Sequence, residues 1–193
     1  MLVGELWERI AIDITGEHPK SRNGNEYMLT VMDHFSKWAE GYPLRDHKAP
    51  TVAKVLVEQL FSRFGMPCQL LSDQGPEFGS DLFLEICRWM DMDKIRTSPY
   101  RPACNGMLER YHRTLNSMLG KIVEENQKDW DTKVQFVMAA YRASVHEATG
   151  YTPNSLTLGR ETRASLNIVL GPPKEETDIC IATIASLPTN KSG

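Results

Sequence analysis

The sequence predicts a mixed α/β fold, a five-stranded sheet with three antiparallel strands first and parallel strands after them, flanked by helices. Three observations predict it. Short apolar runs at 6–15, 27–34 and 38–44 come before any helical pattern, with Gly16, Pro19 and Asn23-Gly24 as turn formers after the first. From Thr51 the apolar spacing becomes helical, and a short strand-like run at 68–72 follows. A strand reached through a helical crossover lies parallel to one already in the sheet. Helical spacing then dominates at 80–90, 105–125 and 130–144.

Each element has its own signals. In the first strand Ile10 and Ile12 alternate with Arg9 and Ala11, and Asp13 stands near its end. Tyr27 to His34 and Trp38 to Leu44 complete an antiparallel meander. Pro50 and Gly65 bound a helix that places Val52, Val55, Leu56, Leu60 and Phe64 on one face. The strand from Cys68 to Ser72 leads into Asp73, and carboxyl ends of parallel strands carry functional loops, so Asp13 and Asp73 are expected side by side. Ser80 is a cap for a helix from Ser80 to Met90, with Asp81 favourably charged at its start, and Lys94 to Ser98 is a short strand. Pro99, Pro102 and Asn105-Gly106 read as an irregular loop into a helix reaching about Glu125. That helix carries Leu108, Leu115 and Leu119 on one face and Glu109, Arg113 and Asn116 on another. A helix from Trp130 to Ser144 turns Trp130, Val134, Val137, Met138 and Tyr141 inward, and a last one runs from Pro153 to Leu158 before Gly159.

With 193 residues, 41% of them hydrophobic, the chain suits one compact domain. The expected division is a tail at 1–5, a core at 6–165, and an acidic linker with an unassigned tail at 166–193. No apolar run approaches the roughly 20 residues of a membrane helix, and the start lacks the features of a secretory signal. An intracellular protein without a membrane partner is therefore expected. The four cysteines form no Cys-x-x-Cys pair, which argues against a zinc site or a disulfide framework. A net charge of −3 counts against strong stand-alone binding to a DNA duplex, although local basic clusters matter more than the sum.

Asp13, Asp73 and Glu109 are separated by 59 and 35 residues. With the stretches Trp7 to Asp13, Val31-Met-Asp-His-Phe-Ser-Lys-Trp38, Ser72-Asp-Gln-Gly-Pro-Glu-Phe78 and Asn105-Gly-Met-Leu-Glu-Arg110, this pattern resembles the catalytic core of retroviral-type integrases, those of gypsy-type LTR retrotransposons above all. The resemblance runs over about residues 6–165. It implies an RNase H-like fold and a Mg²⁺- or Mn²⁺-dependent nuclease and strand transferase that processes DNA 3′ ends and joins them to target DNA. Two ions would be held, with Asp13 bridging both, Asp73 on one and Glu109 on the other. Tyr100 and Asn105 would contact DNA ends and Arg113 a phosphate, with Arg110, Arg101 and Lys121 as further DNA-binding candidates. Asp33 is usually non-catalytic in such relatives. Paired DNA ends imply at least two cores acting together, and an active enzyme is expected in the nucleus.

The chain departs from the family's usual words at Pro102-Ala-Cys-Asn-Gly-Met107, at His112, where many relatives have Asn, and after Arg160-Glu161, where a proline is common. No zinc module or carboxyl-terminal DNA-binding domain is recognisable, so an isolated core is expected. Two alternatives stay open. One is a catalytically silent or host-adopted core acting as a dimerising or nucleic-acid-binding module. The other is a ribonuclease H, which shares the fold and would use a fourth acid such as Glu58.

Overall fold

The computed structural model describes residues 4–96, 102–123 and 126–162, without the side chains of residues 96 and 102–109. Five strands, β1 (Arg9–Thr15), β2 (Tyr27–Asp33), β3 (Ala39–Leu44), β4 (Gln69–Ser72) and β5 (Asp93–Arg96), form one sheet in the order β3-β2-β1-β4-β5. The first three are antiparallel neighbours, whereas β4 runs parallel to β1 and β5 parallel to β4. This is the expected mixed sheet, with β1 at its centre. The tight β2–β3 turn is built on Asp33, whose carboxylate accepts hydrogen bonds from the Ser36 N–H at 2.8 Å, the Ser36 hydroxyl at 2.7 Å and the Trp7 N–H at 3.2 Å. Asp33 is thus committed to capping a turn.

Between β3 and β4 runs α1 (Ala49–Val55), which continues through a π-helical stretch (Leu56–Phe61) into one last turn, α2 (Ser62–Phe64). It begins ahead of Thr51 because Pro50 fits the first helical turn, where its missing N–H has no partner to lose. Gly65 closes the rod at φ 80°, a backbone region open to glycine. Ser80 caps α3 (Asp81–Trp89), its hydroxyl accepting from the Phe83 N–H at 3.3 Å. α4 (Pro102–Gly120), α5 (Trp130–Arg142) and α6 (Pro153–Leu158) complete the fold.

The expected loop around Asn105-Gly106 is replaced by helix, because α4 already begins at Pro102. A proline at a helix start has φ preset and no donor to satisfy, which offsets part of the roughly 1 kcal/mol that an interior glycine costs. The same helix ends at Gly120, short of Glu125. Among the described residues no helix is long and apolar enough to cross a membrane. Cys68 and Cys87 are free thiols.

Strand alternation divides the buried side chains between two faces. Ile10, Ile12, Leu29, Val31 and Leu70 pack with Val52, Leu56 and Leu60 of the long rod and with Phe83 and Cys87 of α3. On the other face Ala11, Met28, Met32 and Leu71 meet Tyr111, Leu115 and Leu119 of α4 and Trp130, Val134 and Met138 of α5. Each fully buried large apolar side chain contributes about 1.5–3 kcal/mol, so both helical layers are held firmly to the sheet. Residues of β1 point alternately to the two sides, and Asp13 therefore shares the α4 face with Ala11.

Candidate active site

On the parallel strands β1 and β4, Ala11 pairs with Leu71. Asp13 and Asp73 each come two residues later, so both leave the carboxyl ends of neighbouring strands on the side covered by α4. Asp13 is partly buried. Its Oδ1 accepts from the Ile14 N–H at 2.8 Å, and its Oδ2 lies 3.5 Å from His112 Nδ1. Burial first, and then the negative charges of Asp73 and Glu77, push the Asp13 carboxyl up to about 6 against the lowering pull of the Ile14 N–H.

His112 is brought to Asp13 by α4 and held by Thr30, the residue opposite Asp13 in the β1–β2 ladder. Its Nε2 lies 2.9 Å from the Thr30 hydroxyl, which also lies 3.1 Å from the Asp13 carbonyl oxygen it donates to. Burial lowers the His112 pKa, which favours the neutral ring. At 3.5 Å a neutral imidazole is a packed, orienting neighbour of Asp13 and not a strong ion-pair partner.

Asp73 is fixed from its other side. Its Oδ1 accepts from the Gly75 N–H at 2.9 Å, and its carbonyl accepts from the Ser72 hydroxyl at 2.8 Å. The Lys94 ammonium in turn donates to that hydroxyl. The Gly75-Pro76 turn then folds Glu77 back over Gly75. A Cβ at Gly75 would stand 2.5 Å from Glu77 Oε1 and 3.1 Å from Asp73 Oδ1, so glycine lets both carboxylates keep these positions. Glu77 Oε2 also lies 3.8 Å from His47 Nδ1.

Asp13, Asp73 and Glu77 thus act on one neighbourhood. The third expected carboxylate, Glu109, lies in α4 three residues before His112, and its side chain is outside the described residues. Among the described residues no group of three His, Cys, Asp or Glu side chains is arranged to hold a metal ion. The chemistry of the donors still fits one. Carboxylate oxygens suit Mg²⁺ or Mn²⁺, and the part of the Asp13 shift that burial leaves to the charges of Asp73 and Glu77 is the kind a divalent cation relieves.

The expected DNA contacts are distributed differently. Arg113 is exposed one turn beyond Glu109, Lys121 is exposed just after α4, and Arg110, one turn before Arg113, lines a cavity beside that helix. Tyr100 and Arg101 lie outside the described residues, and Asn105 is described only as backbone within α4. Glu58 is exposed on the rod that covers the opposite face of the sheet, away from the side Asp13 occupies. It does not supply the fourth acid of a ribonuclease H on that side.

The family model described as "Integrase core domain" matches residues 5–102. The chain belongs to the integrase core family. This integrase core is 28% identical over 154 residues to the retrovirus-related Pol polyprotein from transposon 412 of Drosophila melanogaster, an alignment covering 80% of this chain and 12% of the polyprotein. It therefore spans only a small part of that relative's length. Among solved structures it is similar to the catalytic core domain of BIV integrase, with a TM-score of 0.62, 22% identity, and coverage of 79% of this chain and 95% of that one. It is also similar to the HTLV-2 integrase catalytic core domain in complex with magnesium, in a trimeric form, with a TM-score of 0.60, 19% identity, and coverage of 76% and 93%. The fold of the integrase core is thus RNase H-like.

Sequence reasoning about the integrase core overlooked Glu77 and Thr30. The signal for Glu77 was present in Asp73-Gln-Gly-Pro-Glu77, where a Gly-Pro turn brings acids four residues apart close together. The signal for Thr30 was its ladder position opposite Asp13, which only strand register reveals.

Proposed function

We propose that this integrase core is a metal-dependent polynucleotidyl transferase that trims DNA 3′ ends and joins them to target DNA. The observation that carries this reading is the placement of Asp13 and Asp73 at adjacent parallel strand ends, with the Asp13 carboxyl raised to about 6 by burial and neighbouring negative charge. Asp13, Asp73 and Glu109 would hold two Mg²⁺ or Mn²⁺ ions, which when bound make the attacking oxygen more nucleophilic and stabilise the leaving one. The complex of the HTLV-2 core with magnesium supports that choice of cation.

The chain's own residues position this chemistry. His112 and Thr30 fix the orientation of Asp13, while Lys94, Ser72 and Gly75 fix that of Asp73. Arg113, one turn past Glu109, would take a phosphate oxygen of the DNA. Water attacks first near the 3′ end, and the exposed 3′-hydroxyl then attacks the target in line, with no covalent enzyme intermediate. Paired ends require at least two cores, and the trimeric form of the HTLV-2 neighbour supports self-association. Chromosomal DNA as target places this work in the nucleus.

A branched DNA substrate tests the reading directly. With Mn²⁺ or Mg²⁺ the chain should reverse strand joining, and Asp73→Asn should abolish that activity. Equal rates in parent and variant would reject the site, and preferential cleavage of RNA–DNA hybrids would reassign it as a ribonuclease H.

A further inference from the structure

A cavity of about 550 Å³ opens beside α4, lined by Arg9, His34, Lys37, Arg110, Tyr141 and His146 among others. Arg110 and Thr114, one turn apart on α4, share its wall, whereas His112 points away from them toward Asp13. Glu147 is the carboxylate of the lining. Two of the cations are held in place by local bonds: Arg9 Nε donates to Gln69 Oε1 at 2.6 Å, and Lys37 Nζ to the His34 carbonyl at 2.6 Å.

Two histidines report the resulting field. Burial, with the positive charges of Lys37 and Arg9, brings His34 down to about 4. Burial, with Lys37 and Arg110, also lowers His146, only partly opposed by Glu147. His34 Nε2 is buried without a hydrogen-bond partner, a costly state that a ligand's polar atom or a bridging water would relieve. The volume lies within the roughly 300–1,000 Å³ of ordinary ligand pockets, ample for more than a bare phosphate. Aromatic surface is available as well. Tyr141 packs edge-on to Tyr111 with centroids 5.1 Å apart and lies 6.5 Å from the His146 ring.

Clustered cations beside aromatic rings match the two needs of an unpaired nucleotide, a partner for the phosphate and a surface for the base. We propose that this cavity takes a nucleotide of a single-stranded nucleic acid, its phosphates on Arg9, Lys37 and Arg110 and its base against Tyr141 and His146. Arg9 lies on the same face of β1 as Asp13 and four residues before it, roughly 13 Å along the strand. A strand seated there would lead toward the carboxylates. That continuity rests on the integrase reading, while the binding itself does not.

The test is fluorescence anisotropy of a labelled oligothymidylate with the full chain, in EDTA so that no metal takes part. The Lys37→Gln/Arg110→Gln double variant should bind at least about tenfold more weakly. Pyrophosphate should compete with the oligonucleotide, and Asp73→Asn should bind as the parent does. Photocrosslinking of an iodouracil-bearing strand to the unaltered chain avoids any folding defect of the variants, and it should map to Tyr141 or His146. Unchanged affinity in the double variant, crosslinks confined to residues outside the cavity, or binding of pyrophosphate without oligonucleotide would overturn the assignment. Full strand-joining activity in Asp73→Asn would instead sink the catalytic reading and leave this site standing.

Discussion

The two faces of the sheet are built from the same strands but do opposite things with them. Under α1 and α3 the inward residues of β1 are Ile10 and Ile12, both fully buried in an apolar layer. Under α4 the alternate residues are Ala11 and then Asp13, which meets Thr30 and His112. One face therefore stores stability, and the other keeps polar groups at its edge where burial and like charge raise their energy. Ile12 and Asp13 are neighbours in sequence, yet the pleat gives them opposite roles. Function at this sheet is purchased by leaving one end of one face incompletely dry.

Substitution at Ile12 probes the dry face and should have the largest effect on folding. Ile12→Ala removes a fully buried side chain and leaves a cavity, so urea denaturation should show a loss of about 2–5 kcal/mol. Any variant that remains folded should keep its site geometry. A loss below about 1 kcal/mol would mean that this face collapses around the gap and is softer than its packing implies.

Asp13→Asn probes the other face and should move stability the opposite way. The folded-state pKa, about 6, lies above the ordinary aspartate value of 3.8 that an unfolded chain would show. The contribution of Asp13 is therefore fully present below about pH 4 and is lost as pH rises through about 6. Asn has no such loss. At pH 8 the variant should be more stable than the parent by at most about 3 kcal/mol, and near pH 4 the advantage should vanish. Saturating Mg²⁺ should narrow the gap at pH 8 by stabilising the parent alone. A gap independent of pH would show that a carboxylate raised by burial and like charge is not what the two faces differ in.

Much of this division was legible in the residues. The change from strand spacing to helical spacing at Thr51 implied a crossover, and the crossover implied that Asp13 and Asp73 leave parallel strands together. Ser80 as a cap and Pro153 to Leu158 as a helix also followed from local signals. The start of α4 did not, because an Asn-Gly pair is a strong turn signal and a proline at a helix start competes with it. Nor did the π-helical stretch at Leu56–Phe61, whose apolar spacing is read equally well as ordinary α-helix. The cavity near Arg9 was hidden for another reason. Its cations and rings come from β1, the β2–β3 turn, α4 and the end of α5, which only tertiary packing brings together.

Gly75→Ala refines the comparison within the polar face itself, and its effect should be the smallest of the three. The backbone at Gly75 is not in a glycine-only region, so an alanine there is not strained by its dihedral angles. What it lacks is space. The added Cβ would meet Glu77 Oε1 at 2.5 Å and Asp73 Oδ1 at 3.1 Å, and the flexible end of Glu77 is the group able to move. Displacing it should leave stability within about 1 kcal/mol of the parent, since no apolar contact is lost. The altered carboxylate positions should slow strand joining by about ten- to a hundredfold, the usual cost of a misplaced reacting group. Thermal unfolding beside a strand-transfer assay separates these two readouts. Unchanged activity would mean that Glu77 is a bystander and that Asp73 holds its position without the clearance glycine provides.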